Sequence, residues 1–220
     1  MKVLAVLSLT VILVFSHSTG NAQSCRLSCP SNMVVKAENG LEGALVSFPP
    51  SASLGIGDCG TVTYSRPNGS FFRIGSHSVI VTSSSGQKCA FTVTVTDNES
   101  PFLSVLTLSS KKIWPPTNRM KKVAVYYTTS DNAQDVTSVL SVYSNDTALN
   151  NRDWEVVNNH LLRLKASRLA NGESRIYTIT VTSTDEAGNK TARTTSIAVS
   201  KNIGLAYTTN GVSSLANQED

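Results

Sequence analysis

Polar and apolar residues alternate along much of the chain. In Phe91-Thr92-Val93-Thr94-Val95-Thr96 the three apolar side chains fall on one face and the three threonines on the other, the signature of a half-buried strand. Residues 175–184 do the same, with Tyr177, Ile179 and Val181 opposite Ile176, Thr178, Thr180 and Thr182. Similar patterns or short apolar runs predict strands at 33–36, 44–48, 61–65, 78–83 and 90–96, then at 103–108, 123–129, 137–143, 161–166, 175–184 and 191–199. Pro49-Pro50, residues 65–69 and residues 84–87 punctuate the first group. Asp185-Glu186-Ala187-Gly188-Asn189 marks a hairpin between the last two strands. Aspartate bonds the backbone ahead of it, while glycine and asparagine tolerate positive φ. Strands this short need a second sheet to cover their apolar face. The predicted fold class is all-β, with two β-sandwiches in tandem.

The division falls at Asp97-Asn98-Glu99-Ser100-Pro101, a short proline-bearing break. Residues 72–96 and 175–199 share a strand, a glycine-containing hairpin and an alternating strand, which supports two modules. Ahead of them, Lys2 precedes an apolar run over 3–15, and Gly20-Asn21-Ala22 supplies small residues. That is the layout of a signal peptide spanning 1–22. The run is about a dozen residues where a membrane span needs about twenty. The expected organisation is 1–22 signal peptide, 24–99 first sandwich, 100–200 second sandwich and 201–220 polar tail, with a short extended piece at 206–208.

Composition narrows the class. Serine and threonine supply 54 of the 220 residues while charged residues reach only 15%, so solubility rests on hydroxyls. This excludes a coiled coil or an acidic disordered tail. The net charge of +4 is mild. Lys111-Lys112 and Lys121-Lys122 read as edge protection, and no zinc-finger spacing or Arg-rich helix suggests nucleic-acid binding.

Cys25, Cys29, Cys59 and Cys89 all lie in the first module. In an exported chain an even number implies disulfides. The spacing after Cys29 lacks the paired short intervals of a zinc site. Three pairings are open. The gap between Cys25 and Cys29 is too short for a comfortable bridge in an extended strand, which favours Cys29–Cys89 and Cys25–Cys59. A module of about 75 residues is marginal without such links.

Cys29-Pro30, Gly60-Thr61-Val62-Thr63-Tyr64, Phe72-Arg73-Ile74-Gly75-Ser76-His77-Ser78-Val79 and Cys89-Ala90-Phe91-Thr92-Val93-Thr94-Val95-Thr96-Asp97 resemble the hyalin repeat (HYR) domain. The resemblance implies an immunoglobulin-like extracellular module associated with adhesion. The family's aspartate and Gly-Asn before the last cysteine are replaced by Ser83-Ser84-Ser85-Gly86-Gln87, so no role of that aspartate carries over. Ile113-Trp114-Pro115-Pro116, Asp153-Trp154, Leu162-Arg163-Leu164-Lys165-Ala166, Arg175-Ile176-Tyr177-Thr178-Ile179 and Thr184-Asp185-Glu186-Ala187-Gly188-Asn189 are similar to a bacterial Ig-like module. Thr117-Asn118 stands where that family commonly has Asn-His, so no histidine role transfers. Together the resemblances imply tandem immunoglobulin-like β-sandwiches.

Candidate chemistry is sparse. Beyond the signal segment only His77 and His160 remain, one in each module. There is no nucleophile elbow, zinc-protease helix or phosphate loop. Asp153 and Glu155 are read as solvated carboxylates. The chain is therefore expected to be no enzyme and to need no cofactor, with calcium as the one candidate. Asp97, Asn98 and Glu99 are hard oxygen donors at a module boundary, but three residues cannot fill six to eight positions. Loop residues such as Asp131 or Asp185 would have to converge on them. Trp114, pinned by Pro115 and Pro116, is expected to plug the second core, with a sugar or peptide platform as the competing role. Tyr177 is expected in core or rim packing, with a tyrosine corner as the alternative. Trp154 and Tyr143 are candidate ligand contacts. Asn68, Asn98, Asn145 and Asn189 lie in acceptor triplets for glycosylation, which such a composition also produces by chance. The expected function is a secreted or cell-surface adhesion protein contacting a surface protein, glycan or matrix component. The alternatives are a structural spacer and a carbohydrate-binding accessory protein.

Overall fold

The computed structural model describes residues 25–54, 57–133, 135–146, 153–201 and 211–215. The expected signal peptide and the extended piece at 206–208 lie outside them. The described residues form no helix; every element is a strand.

The first sandwich contains β1 (Arg26–Ser28), β2 (Met33–Lys36), β3 (Gly43–Val46), β4 (Ala52–Leu54), β5 (Val62–Tyr64), β6 (Ser70–Arg73), β7 (Gly75–Ser83) and β8 (Lys88–Thr96). A four-stranded sheet ordered β2-β8-β7-β5 faces the β3-β6 ladder, and β1 pairs with β4. The alternation of β8 works as its sequence implies: Phe91, Val93 and Val95 are buried and meet Val79 and Val81 of β7, with Ala44, Val46, Phe48 and Phe72 opposite. Gly43 is fixed by proximity, since a Cβ there would lie 2.1 Å from the Phe72 carbonyl oxygen. Strand β2 runs parallel to β8, from Met33↔Val93 to Lys36↔Thr96. Parallel neighbours cannot be joined by a tight turn. Here Cys29, just before β2, is instead bonded to Cys89 in β8, with Cα atoms 5.8 Å apart. Cys25 and Cys59 form the second disulfide.

The second sandwich contains β9 (Phe102–Leu103), β10 (Thr107–Leu108), β11 (Met120–Tyr126), β12 (Thr129–Ser130), β13 (Thr137–Ser144), β14 (Trp154–Asn158), β15 (Leu161–Lys165), β16 (Arg175–Thr184), β17 (Lys190–Val199) and β18 (Gly211–Leu215). Its sheets are β10-β11-β15-β14 and β13-β16-β17-β18, with a small β9-β12 ladder. The core joins Leu103, Val123, Val125, Leu162, Leu164, Tyr177, Ile179, Val181 and Ile197, and shares no buried residue with the first core. The architecture is two immunoglobulin-like sandwiches in tandem.

Three local differences from the sequence pattern have physical causes. The strand expected at 103–108 is broken into β9 and β10, and Leu106 between them turns into the core at 3% exposure. Ile113, not Trp114, is the plug. Ile113 bridges to Val199 in parallel register and is 3% exposed, which turns its neighbour Trp114 outward to 45%. The peptide between Trp114 and Pro115 is cis. Finally, β18 pairs along β17 from Lys190↔Leu215 to Thr194↔Gly211, within the region read as a polar tail.

Candidate functional site at the module joint

Asp97 directly follows β8, whose last carbonyl at Thr96 accepts the Ala37 N–H at 2.9 Å. Its position is therefore set by the edge of the first sandwich. Asp131 lies just after β12. Asp185 begins the β16–β17 hairpin, where its two carboxylate oxygens accept the Asn189 backbone N–H and side-chain Nδ2, both at 2.8 Å. Gly188 supplies the positive φ of 92° that closes this turn. These three elements bring Asp97, Asp131 and Asp185 together, with one oxygen from each lying within 4.8 Å of the others.

Asn98 and Glu99 are not part of the cluster. Asn98 is exposed, and Glu99 Oε2 accepts the Gly40 N–H at 2.7 Å. The donor set expected at 97–99 is thus redistributed: one residue from the linker and two from loops of the second sandwich. Successive residues of an extended linker point different ways, so adjacency in sequence does not make them converge.

A hydrogen bond also spans the joint. Asn132 Nδ2 donates to the Leu41 carbonyl at 3.0 Å. Burial holds the Asp131 carboxyl above the usual carboxylate range; the Ala133 N–H opposes this shift, while the charges of Asp97 and Asp185 add to it. Among the described residues no Lys, Arg or His forms an ion pair with these three aspartates. A cleft of about 390 Å³ adjoins them, lined by Asp97, Asn132, Glu42, Glu186 and Arg73 among others. Arg73 is engaged by Glu42 at 2.9 Å.

Asp153 differs from its reading as a solvated carboxylate. It is 6% exposed and bonds Lys165 at 2.8 Å and Arg175. Arg175 also pairs with Asp146. Burial opposes ionisation of Asp153, but hydrogen bonds from Lys165 and Arg175 hold its carboxyl below the usual range. Glu155 is solvated as expected, pairing with Arg163 at 3.1 Å on the surface. Tyr177 is fully buried, and its hydroxyl meets the carbonyls of Lys165 at 2.9 Å and Asp153 at 3.2 Å. It pins the segments on either side of β14 and β15, through partners 12 and 24 residues away rather than the few residues of a tyrosine corner. These groups form a structural knot.

Of the two candidate contact residues, Trp154 is half-buried against the core and meets Tyr177 edge-on, with ring centroids 6.4 Å apart. Tyr143 is 61% exposed on β13, on the same face as Val139 at 65%, with Ser141 between them. The cross-strand partners of Tyr143, Ser141 and Val139 are Thr178, Thr180 and Thr182, so two exposed apolar groups stand on a hydroxyl-lined sheet. His160 stacks on Tyr127 at 4.4 Å, while His77 lies in the other module against the Arg73 carbonyl. A cleft lined by Tyr126, Tyr127 and His160 is a feature the strand pattern did not single out. The only hint in the sequence was the Tyr126-Tyr127 pair.

No curated protein matches the chain. Among solved structures, it is similar to extracellular cadherin domains 1–4 of protocadherin gamma B7, at 16% identity over 81% of this chain and 50% of that one, with a TM-score of 0.36. It is also similar to extracellular domains 3–5 of Drosophila OTK, at 12% identity over 79% of this chain and 60% of that one (TM-score 0.31), and to the tandem Ig repeats of Dlar, at 12% identity over 80% and 97% (TM-score 0.25). The chain spans about half the length of the protocadherin chain. Residues 20–95, which hold all four cysteines and the first sandwich, match the family model of the HYR domain.

Proposed function

We propose that the protein is a secreted or cell-surface adhesion module that acts by binding and carries out no chemistry. The observation that carries this reading is the HYR match over a sandwich closed by two disulfides, since such links persist in oxidising, extracytoplasmic settings. The second sandwich is read as a bacterial Ig-like module, on the motifs at Trp114-Pro115-Pro116 and at Asp185 to Asn189. The two sandwiches hold a contact face at a set orientation through the Leu41–Asn132 bond, with Glu99 of the linker tied back to Gly40. Tyr143 and Val139 on β13 are the proposed contact residues, because exposed aromatic groups contribute strongly to binding energy. The partner is a surface protein, a glycan or a matrix component.

Biolayer interferometry against solubilised surface protein, a glycan panel and matrix preparations tests this. The expected result is saturable binding to one class, weakened at least about tenfold by the double substitution Tyr143→Ser and Val139→Ser. Absence of binding to all three classes would leave the spacer reading in its place. Binding to the glycan panel that depends on Tyr127 and His160 would move the contact to their cleft.

A further inference from the structure

Three carboxylates brought together without a basic partner repel one another, and a fold retains such a cluster at a cost. The cluster at the joint comes from Asp97, Asp131 and Asp185, on three separate elements and with oxygens within 4.8 Å. Acidic groups alone do not make a site. A second observation does point to a ligand: Asp97 Oδ2 and Asn132 Oδ1 are wholly buried and receive no hydrogen bond. Leaving a buried oxygen without a donor costs about 1–3 kcal/mol, and more when it is charged. Both residues line the same cleft. The Asn132 amide cannot simply turn over to offer its NH₂, because Nδ2 is already committed to the Leu41 carbonyl at 3.0 Å.

An ordered water could donate to these two oxygens, but it would leave three negative charges facing one another. Among the described residues, Arg73 is the one basic side chain lining the cleft, and Glu42 holds it. We propose that Asp97, Asp131 and Asp185, with the Asn132 amide oxygen, bind one calcium ion that fastens the linker to two loops of the second sandwich.

The donor chemistry selects the ion. All four groups offer hard oxygens and none offers sulfur or imidazole, which disfavours zinc and copper. Oxygens on opposite sides of one calcium ion stand about 4.6–5.2 Å apart, twice its bond length, so three oxygens lying within 4.8 Å of one another fit its shell. Magnesium dehydrates more reluctantly and keeps several of its waters, which suits a cluster of several protein oxygens less well. Four protein groups, some binding through both oxygens, leave room for water to complete the six to eight positions that calcium takes.

The ion would regulate the joint. Asp97 belongs to the end of the first sandwich, whereas Asp131 and Asp185 belong to the second. Neutralising the cluster removes a repulsion between the modules, so the joint stiffens as calcium rises to the millimolar levels at which extracellular modules bind it.

The test uses the whole protein, stripped with a chelator. Isothermal titration with calcium chloride should show one site, with a dissociation constant on the order of 0.1–1 mM. Melting should move upward in millimolar calcium and much less in millimolar magnesium, and small-angle scattering should show a narrower range of module orientations. Asp131→Asn carries the sharpest expectation. It removes one repelling charge, so it should melt higher than the parent in chelator, yet bind calcium at least about tenfold more weakly. Asp97→Asn should weaken binding similarly, which keeps the test open if the first variant folds poorly. Glu155→Gln, on a distant surface strand, should respond like the parent. The proposal is overturned by an absence of calcium heat, by equal responses to the two ions, or by unchanged affinity in both aspartate variants.

Discussion

The two sandwiches share a fold and close it by different means. In the first, ten of the described residues form the buried core and two disulfides clamp its strands. The second has no cysteine and a core of fourteen buried residues among those described, and at one end its segments are tied by Arg175, Asp153, Lys165, Asp146 and Tyr177. The difference follows from size. A smaller core returns less hydrophobic free energy against the entropy of ordering the chain, so covalent links make up the shortfall. A larger core tolerates a buried ionic knot whose net stability is small, and uses it to fix which backbone segments meet. The cysteines therefore work mainly by restricting the unfolded chain of one module, while the charges act within the folded state of the other.

Removing each device should damage its own module only. The largest effect is expected from Cys29→Ala with Cys89→Ala. Their bridge spans a sequence separation of 60, for which the chain-entropy relation gives about 4 kcal/mol. Two-domain calorimetry should show the first transition falling steeply or vanishing while the second stays in place. Loss of both transitions would mean that the modules fold as one unit.

Next in size is Arg175→Met. The arginine side chain is 6% exposed and the Asp153 side chain 8%, so the substitution leaves a buried carboxylate with Lys165 as its one remaining cation, at up to about 3 kcal/mol, the low end for breaking a buried pair. Only the second transition should fall. Tyr177→Phe keeps the ring and loses the hydroxyl held by two carbonyls, for about 1–3 kcal/mol.

The smallest effect is acid sensitivity. The folded-state pKa of Asp153 lies below its unfolded value of about 3.9. Its contribution is therefore complete above that value and is lost as pH falls through the lower folded one. Melting from pH 6 downward should show the second transition dropping more below about pH 4 than the first. Asp153→Asn should remove that extra slope. A parallel decline of the two modules in the parent would show that the knot is not the acid-sensitive element.

What was readable in the sequence, and what was not, divides along similar lines. The alternation of 90–96 and 175–184 exposed both inner faces, because side chains of a strand change sides at every residue. The hairpin at 185–189 was equally plain from its residue types. The role of Arg175 was hidden: its polar side chain occupies the inward position that continues the row of Tyr177, Ile179 and Val181. Its partners lie 22 and 29 residues away, so no local window contains them. The plug was misassigned by one position, since proline chemistry marked Trp114 while pairing with Val199 turned Ile113 inward.

At the joint, the sequence by itself determined that carboxylates stand at a module boundary and that hairpin chemistry places an aspartate at 185. It also determined the two-residue periodicity from which the sandwiches are built, because that rests on backbone geometry local to each strand. Only the tertiary structure decided that Asp97 leaves Asn98 and Glu99 behind and meets Asp131 and Asp185 instead. Distances between loops depend on how whole sheets pack and pair, and no local pattern of residues encodes them.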